Sequence, residues 1–208
     1  MDYEVLLAFA GATVALAISP GPDNVYVLMQ GMVHGKKYGL ATTAGLMSGC
    51  LVHTSLLALG VSAVIKGNDQ LFFAIKLFGA LYLFYLAFRV FQSSGSLELT
   101  EGGVPKKSLI QLFKQGFIMN VLNPKVTIFF LAFFPAFLFS EEWGTAIQFY
   151  ILGLIFILVS FSVFGIIAIL AGSISSYLLK NSNIGIALKW LQILVFVGIG
   201  LYVLLSDK

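Results

Sequence analysis

Two ionisable side chains, Asp23 and Lys125, each follow a proline inside a long apolar run of this 208-residue chain. The first lies in Ile18-Ser19-Pro20-Gly21-Pro22-Asp23-Asn24, the second in Asn120-Val121-Leu122-Asn123-Pro124-Lys125. Proline lacks a backbone N–H, so Pro20 and Pro22 leave the carbonyls of Leu16 and Ile18 without their usual helical partners. In lipid an unmet carbonyl costs several kcal/mol, so broken backbone persists only where protein or a wet cavity satisfies it. Charge at that depth is also expensive and marks transport sites. Taking Ser19 as an N-cap and Pro20 as the first helical residue puts Gly21 and Asp23 in the first turn of a new half-helix. Asn123, Pro124 and Lys125 repeat that grammar. Both half-helices then aim free N–H groups and positive dipole ends at the middle of the bundle, a seat for a carboxylate. Lys125 adds a full positive charge, and Asp23 offers a partner for an ammonium group. Such a pair suits a zwitterion such as an amino acid, with Ser19, Pro20, Gly21, Asn24, Asn120, Asn123 and Pro124 completing the expected substrate-binding site. The plainer reading is an Asp23–Lys125 ion pair that pins two parts of the chain together. That pair would not require two broken helices.

Asp23 and His53 are the candidates for coupling to protons. For Asp23, burial and the neighbouring cation act in opposite senses. His53, within Gly49-Cys50-Leu51-Val52-His53-Thr54, is either a relay at membrane depth or a neutral interhelical hydrogen bonder, and the second is favoured. Phe129, Phe130, Phe133 and Phe134 follow Lys125 and are read first as core, second as a cavity wall. One Cys and two His exclude a disulfide and a Cys- or His-built metal site. The chain has no Gly-rich phosphate loop, HExxH or GxSxG, so neither an enzyme nor a cofactor is expected, and transport must run on a gradient or on another subunit.

The elements that position these groups follow from composition. The chain is 59% hydrophobic and 10% charged, with a mean hydropathy of +0.99, which no soluble domain of this size needs. Six apolar runs, roughly 5–30, 38–65, 70–92, 112–139, 145–172 and 185–205, are long enough to cross a bilayer as helices. The acidic start Met-Asp-Tyr-Glu is unlike a signal peptide, so the first run is expected to be retained. A polar stretch rich in Ser, Gly and charge separates runs three and four. The chain therefore reads as a single all-α polytopic membrane domain over 1–208. Repeat one covers about 1–92, a cytoplasmic linker about 93–111, and repeat two about 112–208. Lys36, Lys37, Arg89, Lys106, Lys107, Lys114, Lys180 and Lys189 fall on one side, and Lys66, Lys76 and Lys208 on the other. This bias places the linker in the cytoplasm and both termini outside. Three spans per half make the halves inverted, with broken first and fourth helices, an arrangement that points to a substrate site. Small-residue spacings, Gly35/Gly39 and Gly45/Gly49, read as helix packing. Those faces either serve a homodimer or are used inside the monomer. The net charge of +3 gives no hint of nucleic-acid binding.

These residues resemble those of the bacterial LysE/RhtB-type amino-acid exporters along essentially the whole chain. The resemblance is carried by Ser19-Pro20-Gly21-Pro22-Asp23, His34-Gly35 with Gly39, and Ala44-Gly45 with Gly49. It continues in Lys76 with Gly79-Ala80, Tyr82-Leu83 and Tyr85-Leu86, then Asn120 with Asn123-Pro124-Lys125, and Phe134-Pro135. It implies a fold of two three-helix repeats and efflux of amino acids or close derivatives across the inner (cytoplasmic) membrane, driven by the proton motive force. One departure is Ala136, where the family often carries a Gln between the proline and the phenylalanine. Rival readings are a cation, thiol or other small-solute exporter on the same scaffold, and a non-transporting membrane scaffold subunit.

Overall fold

The structure, a computed structural model, describes residues 2–19, 21–63, 69–93, 106–174 and 182–205. Among the described residues eight long helices run in the order α1 (Tyr3–Ile18), α2 (Pro22–His34), α3 (Lys36–Leu56), α4 (Asp69–Gln92), α5 (Leu109–Val121), α6 (Pro124–Phe133), α7 (Thr145–Ile169) and α8 (Ser182–Leu205). A π turn, Leu57–Val61, extends α3, and a 3-10 turn, Phe134–Phe137, extends α6. Four segments are long and apolar enough to cross a membrane: Lys36–Val61, Gln70–Gln92, Thr145–Ile169 and Ile184–Leu205. Two more spans arise when the bent pairs are each counted as one: α1 with α2, bent by 63°, and α5 with the α6 segment, bent by 55°. The chain is thus an all-α polytopic membrane protein, and the bent pairs are the expected first and fourth spans. Span ends fall close to the expected ones. The expected linker gives up residues 109–111 to α5, and 94–105 lie outside the described residues.

Local chemistry sets the helix ends. Asp2 caps α1, its Oδ1 accepting from Glu4 N at 3.0 Å and Val5 N at 3.3 Å. Ser108 and Gln111 form a reciprocal capping box at the start of α5. Gly35 joins α2 to α3 at φ +98°, a conformation that only glycine adopts without strain.

Close packing explains the other glycines. A Cβ on Gly45 would strike the Phe113 carbonyl of α5, and one on Gly116 would strike the Thr42 carbonyl of α3. Gly39 abuts Ala168 of α7, and Gly49 abuts the Asn120 side chain. Gly39, Gly45 and Gly49 are therefore used inside the chain, whereas a Cβ on Gly35 would meet nothing within 4 Å. The aromatic core is centred on Phe9, whose ring centroid lies 5.1–5.3 Å from those of Phe133, Phe134 and Phe137. Lys76, counted above among the outer charges, is buried within α4, its amine 5.8 Å from the Phe72 ring centre.

The turn between the α6 segment and α7 hangs on one amide that the sequence reading passed over. Gln148, 2% exposed, accepts from Phe139 N at 2.8 Å and Ser140 N at 3.0 Å. Its Nε2 donates to the Ser140 and Trp143 carbonyls at 2.8 and 2.9 Å. Gln148→Leu strips four backbone groups of their partner, so a loss of roughly 2–3 kcal/mol is expected. Thermal unfolding in detergent would show it, and an unchanged midpoint would contradict it.

Candidate functional site

The two helix breaks meet. Asn123 Nδ2 donates to Asp23 Oδ2 at 3.2 Å across 100 residues of chain. The same side chain caps α6, its Oδ1 accepting from Lys125 N at 3.0 Å. Asn123 therefore holds the second break and touches the carboxylate of the first.

At the first break the register differs from expectation. Ser19 is not an N-cap. It closes α1, its N–H donating to the Ala15 and Leu16 carbonyls at 3.1 Å each. Gly21, with extended backbone, is the N-cap of α2, and Pro22 is its first residue, where a missing N–H costs nothing. Pro20 lies outside the described residues. Asp23 stays in the first turn of α2, as expected, because a proline still precedes it. No side chain caps α2. In α6 the first available N–H, that of Lys125, is taken by Asn123, so of the two half-helix ends the α2 end is the more open to a ligand.

Two carbonyls at the breaks find specific side-chain partners. Ala17 O, left behind where α1 stops, accepts from Asn24 Nδ2 at 2.7 Å. Asn120 O faces Pro124 four residues on, which has no N–H to give. It accepts from Asn123 N at 3.0 Å and meets His53 Nε2 of α3 at 3.0 Å. A carbonyl can only accept, so His53 carries its proton on Nε2 and acts as an interhelical donor.

Between the breaks lies a cavity of about 80 Å³. Ser19, Gly21, Pro22, Asp23, Asn24, Asn120, Asn123 and Lys125 all line it, so apart from Pro20 and Pro124 every expected substrate-site residue comes to one place. His53 is buried beside it but is not part of its wall. Asp23 and Lys125 face the same space without forming a direct ion pair. The carboxylate is held by Asn123, and the Lys125 amine sits 4.7 Å from the Phe196 ring centre, against Gly21. Ser19 Oγ and Asn120 Oδ1 are buried there with no hydrogen-bond partner. The arrangement offers an anion acceptor, a cation acceptor and two unsatisfied polar atoms in one pocket.

The sequence reading missed most of the wall. Leu46, Met47 and Cys50 of α3, Leu83 of α4, Phe156 and Ser160 of α7, and Phe196 of α8 complete it. Phe129 joins them, whereas Phe130, Phe133 and Phe134 belong to the aromatic core. No sequence signal separates these apolar residues from lipid-facing ones.

The LysE type translocator family model matches residues 14–207. The homoserine/homoserine lactone efflux protein of Salmonella typhimurium is 29% identical over 178 residues, 86% of this chain and 85% of that protein. Its counterpart in Salmonella typhi matches to the same extent. An uncharacterized membrane protein of Vibrio cholerae is 28% identical over 204 residues, 97% of each chain. No solved structure matches the chain significantly.

Replacing His53 by Leu leaves the Asn120 carbonyl short of its side-chain donor, and a loss of about 1–3 kcal/mol is expected. His53→Gln keeps an amide donor and should lose less. Equal unfolding midpoints for His53→Leu and the parent protein, measured in detergent, would refute the pairing.

Proposed function

This chain belongs to the LysE type translocator family, and we propose that it is a secondary exporter of amino acids or close derivatives across the bacterial cytoplasmic membrane. The observation that carries the proposal is the shared cavity, in which Asp23 and Lys125 come from opposite helix breaks yet leave each other unpaired. A purely structural pair would close that gap. The name of the Salmonella relative, a homoserine efflux protein, supports the same reading.

In the proposed mechanism the cytoplasmic amino acid docks its carboxylate on the Lys125 amine and the open N-terminus of α2. Its ammonium group takes the Asp23 carboxylate and displaces the neutral Asn123 amide, since a charged donor bonds a carboxylate more strongly. That exchange removes the one hydrogen bond joining the two breaks among the described residues. The two three-helix repeats, about 1–92 and 112–208, then rock about the site and open it to the outside, where both termini lie. A proton entering from outside restores the empty carrier. Asp23 is the better carrier because it faces the cavity, whereas His53 is engaged with the Asn120 carbonyl. The proton motive force thereby drives efflux.

The test is export from cells fed dipeptides, whose peptidases release free amino acids inside. Cells with the protein should release one or a few amino acids faster than cells without it, and a protonophore should stop the excess. Asp23→Asn and Lys125→Met should each lower the rate at least about tenfold, the loss of one charge-assisted contact. Undiminished export by both correctly inserted variants would sink the proposal.

A further inference from the structure

We infer that the amino acid carried through this cavity has an uncharged side chain. The inference rests on the exporter reading and narrows its substrate class.

The argument starts from which polar atoms of the wall are already engaged. Asn24 Nδ2 is bound to the Ala17 carbonyl and Asn123 Oδ1 to Lys125 N, and the Asn123 Nδ2 that the substrate displaces from Asp23 is neutral. The charged groups that remain are the Lys125 amine and the Asp23 carboxylate, beside the two buried partnerless atoms Ser19 Oγ and Asn120 Oδ1. An α-carboxylate needs donors, which Lys125 and the Ser19 hydroxyl supply. An α-ammonium needs acceptors, which Asp23 and Asn120 Oδ1 supply. The zwitterionic head thus uses every charged group of the described wall and satisfies both partnerless atoms.

Nothing charged is left for a side chain. The rest of the wall is mostly aliphatic or aromatic, with Leu46, Met47, Leu83, Phe156 and Phe196 prominent in it. A second ammonium, guanidinium or carboxylate placed there would be desolvated without a partner of opposite sign. The remaining neutral polar groups, the Ser160 hydroxyl and the Cys50 thiol, tolerate a hydroxyl or thioether but do not neutralise a charge.

The deciding experiment uses the intact protein in the same dipeptide-fed cells, with leucine, methionine, valine and threonine set against lysine, arginine, glutamate and aspartate. At least one of the first four should leave several-fold faster than from cells without the protein, and none of the last four should. Lysine, arginine, glutamate or aspartate leaving as fast as the best neutral amino acid would overturn the uncharged side chain. That result would leave the exporter reading standing. If nothing in the panel leaves although the protein is inserted, the exporter reading falls and takes this inference with it.

Discussion

The architecture depends on one constraint: a backbone carbonyl released inside a membrane must find a donor from the protein itself. The breaks before Pro22 and Pro124 leave helix-end carbonyls in the middle of two spans, and the fold answers each differently. At the first, Ala17 O near the end of α1 is served from within its own segment by Asn24. The second is served from α3, through His53. With those two carbonyls satisfied, the breaks meet, among the described residues, only through side chains, and a cavity lies between them.

The space for that cavity is set by how tightly everything around it closes. Glycines on α3 and α5 let those helices touch backbone to backbone, as at Gly45 with Phe113 and Gly116 with Thr42. Without a hydrophobic drive between helices in lipid, such close approach is the main source of cohesion. On the other side the Phe9 ring cluster fills the volume beneath α1 with stacked and edge-on aromatics. The pocket is what remains between a glycine seam and an aromatic plug.

Much of this was legible in the sequence because its signals are chemical. Prolines in an apolar run announce missing donors, and the six spans follow from length and hydropathy. The meeting of Asp23, Asn123 and Lys125 followed from reading two similar motifs as one site. The register at the first break was not legible. Ser19 is a better N-cap by propensity than Gly21, yet a chain bending by 63° between α1 and α2 sets its cap by where it turns. The wall was illegible for a different reason. In a soluble protein hydropathy separates inside from outside, but Phe156 and Phe196 have the same hydropathy whether they face lipid or a ligand. Gln148 was silent because its partners are backbone atoms, which carry no sequence mark.

The distant service of the second break bears on how the chain is made. His53 precedes Asn120 by 67 residues, so the donor is synthesised well before the carbonyl it meets. A ribosome feeding the chain into the membrane from its N-terminus delivers α3 first and the fourth span later. The Asn120 carbonyl, which also accepts from Asn123 N, therefore enters a bilayer in which its side-chain donor already waits. The first break, whose amide follows its carbonyl by only 7 residues, needs no earlier helix at all. Both interruptions in the spans are thus compatible with vectorial insertion, and neither depends on a segment still to be translated.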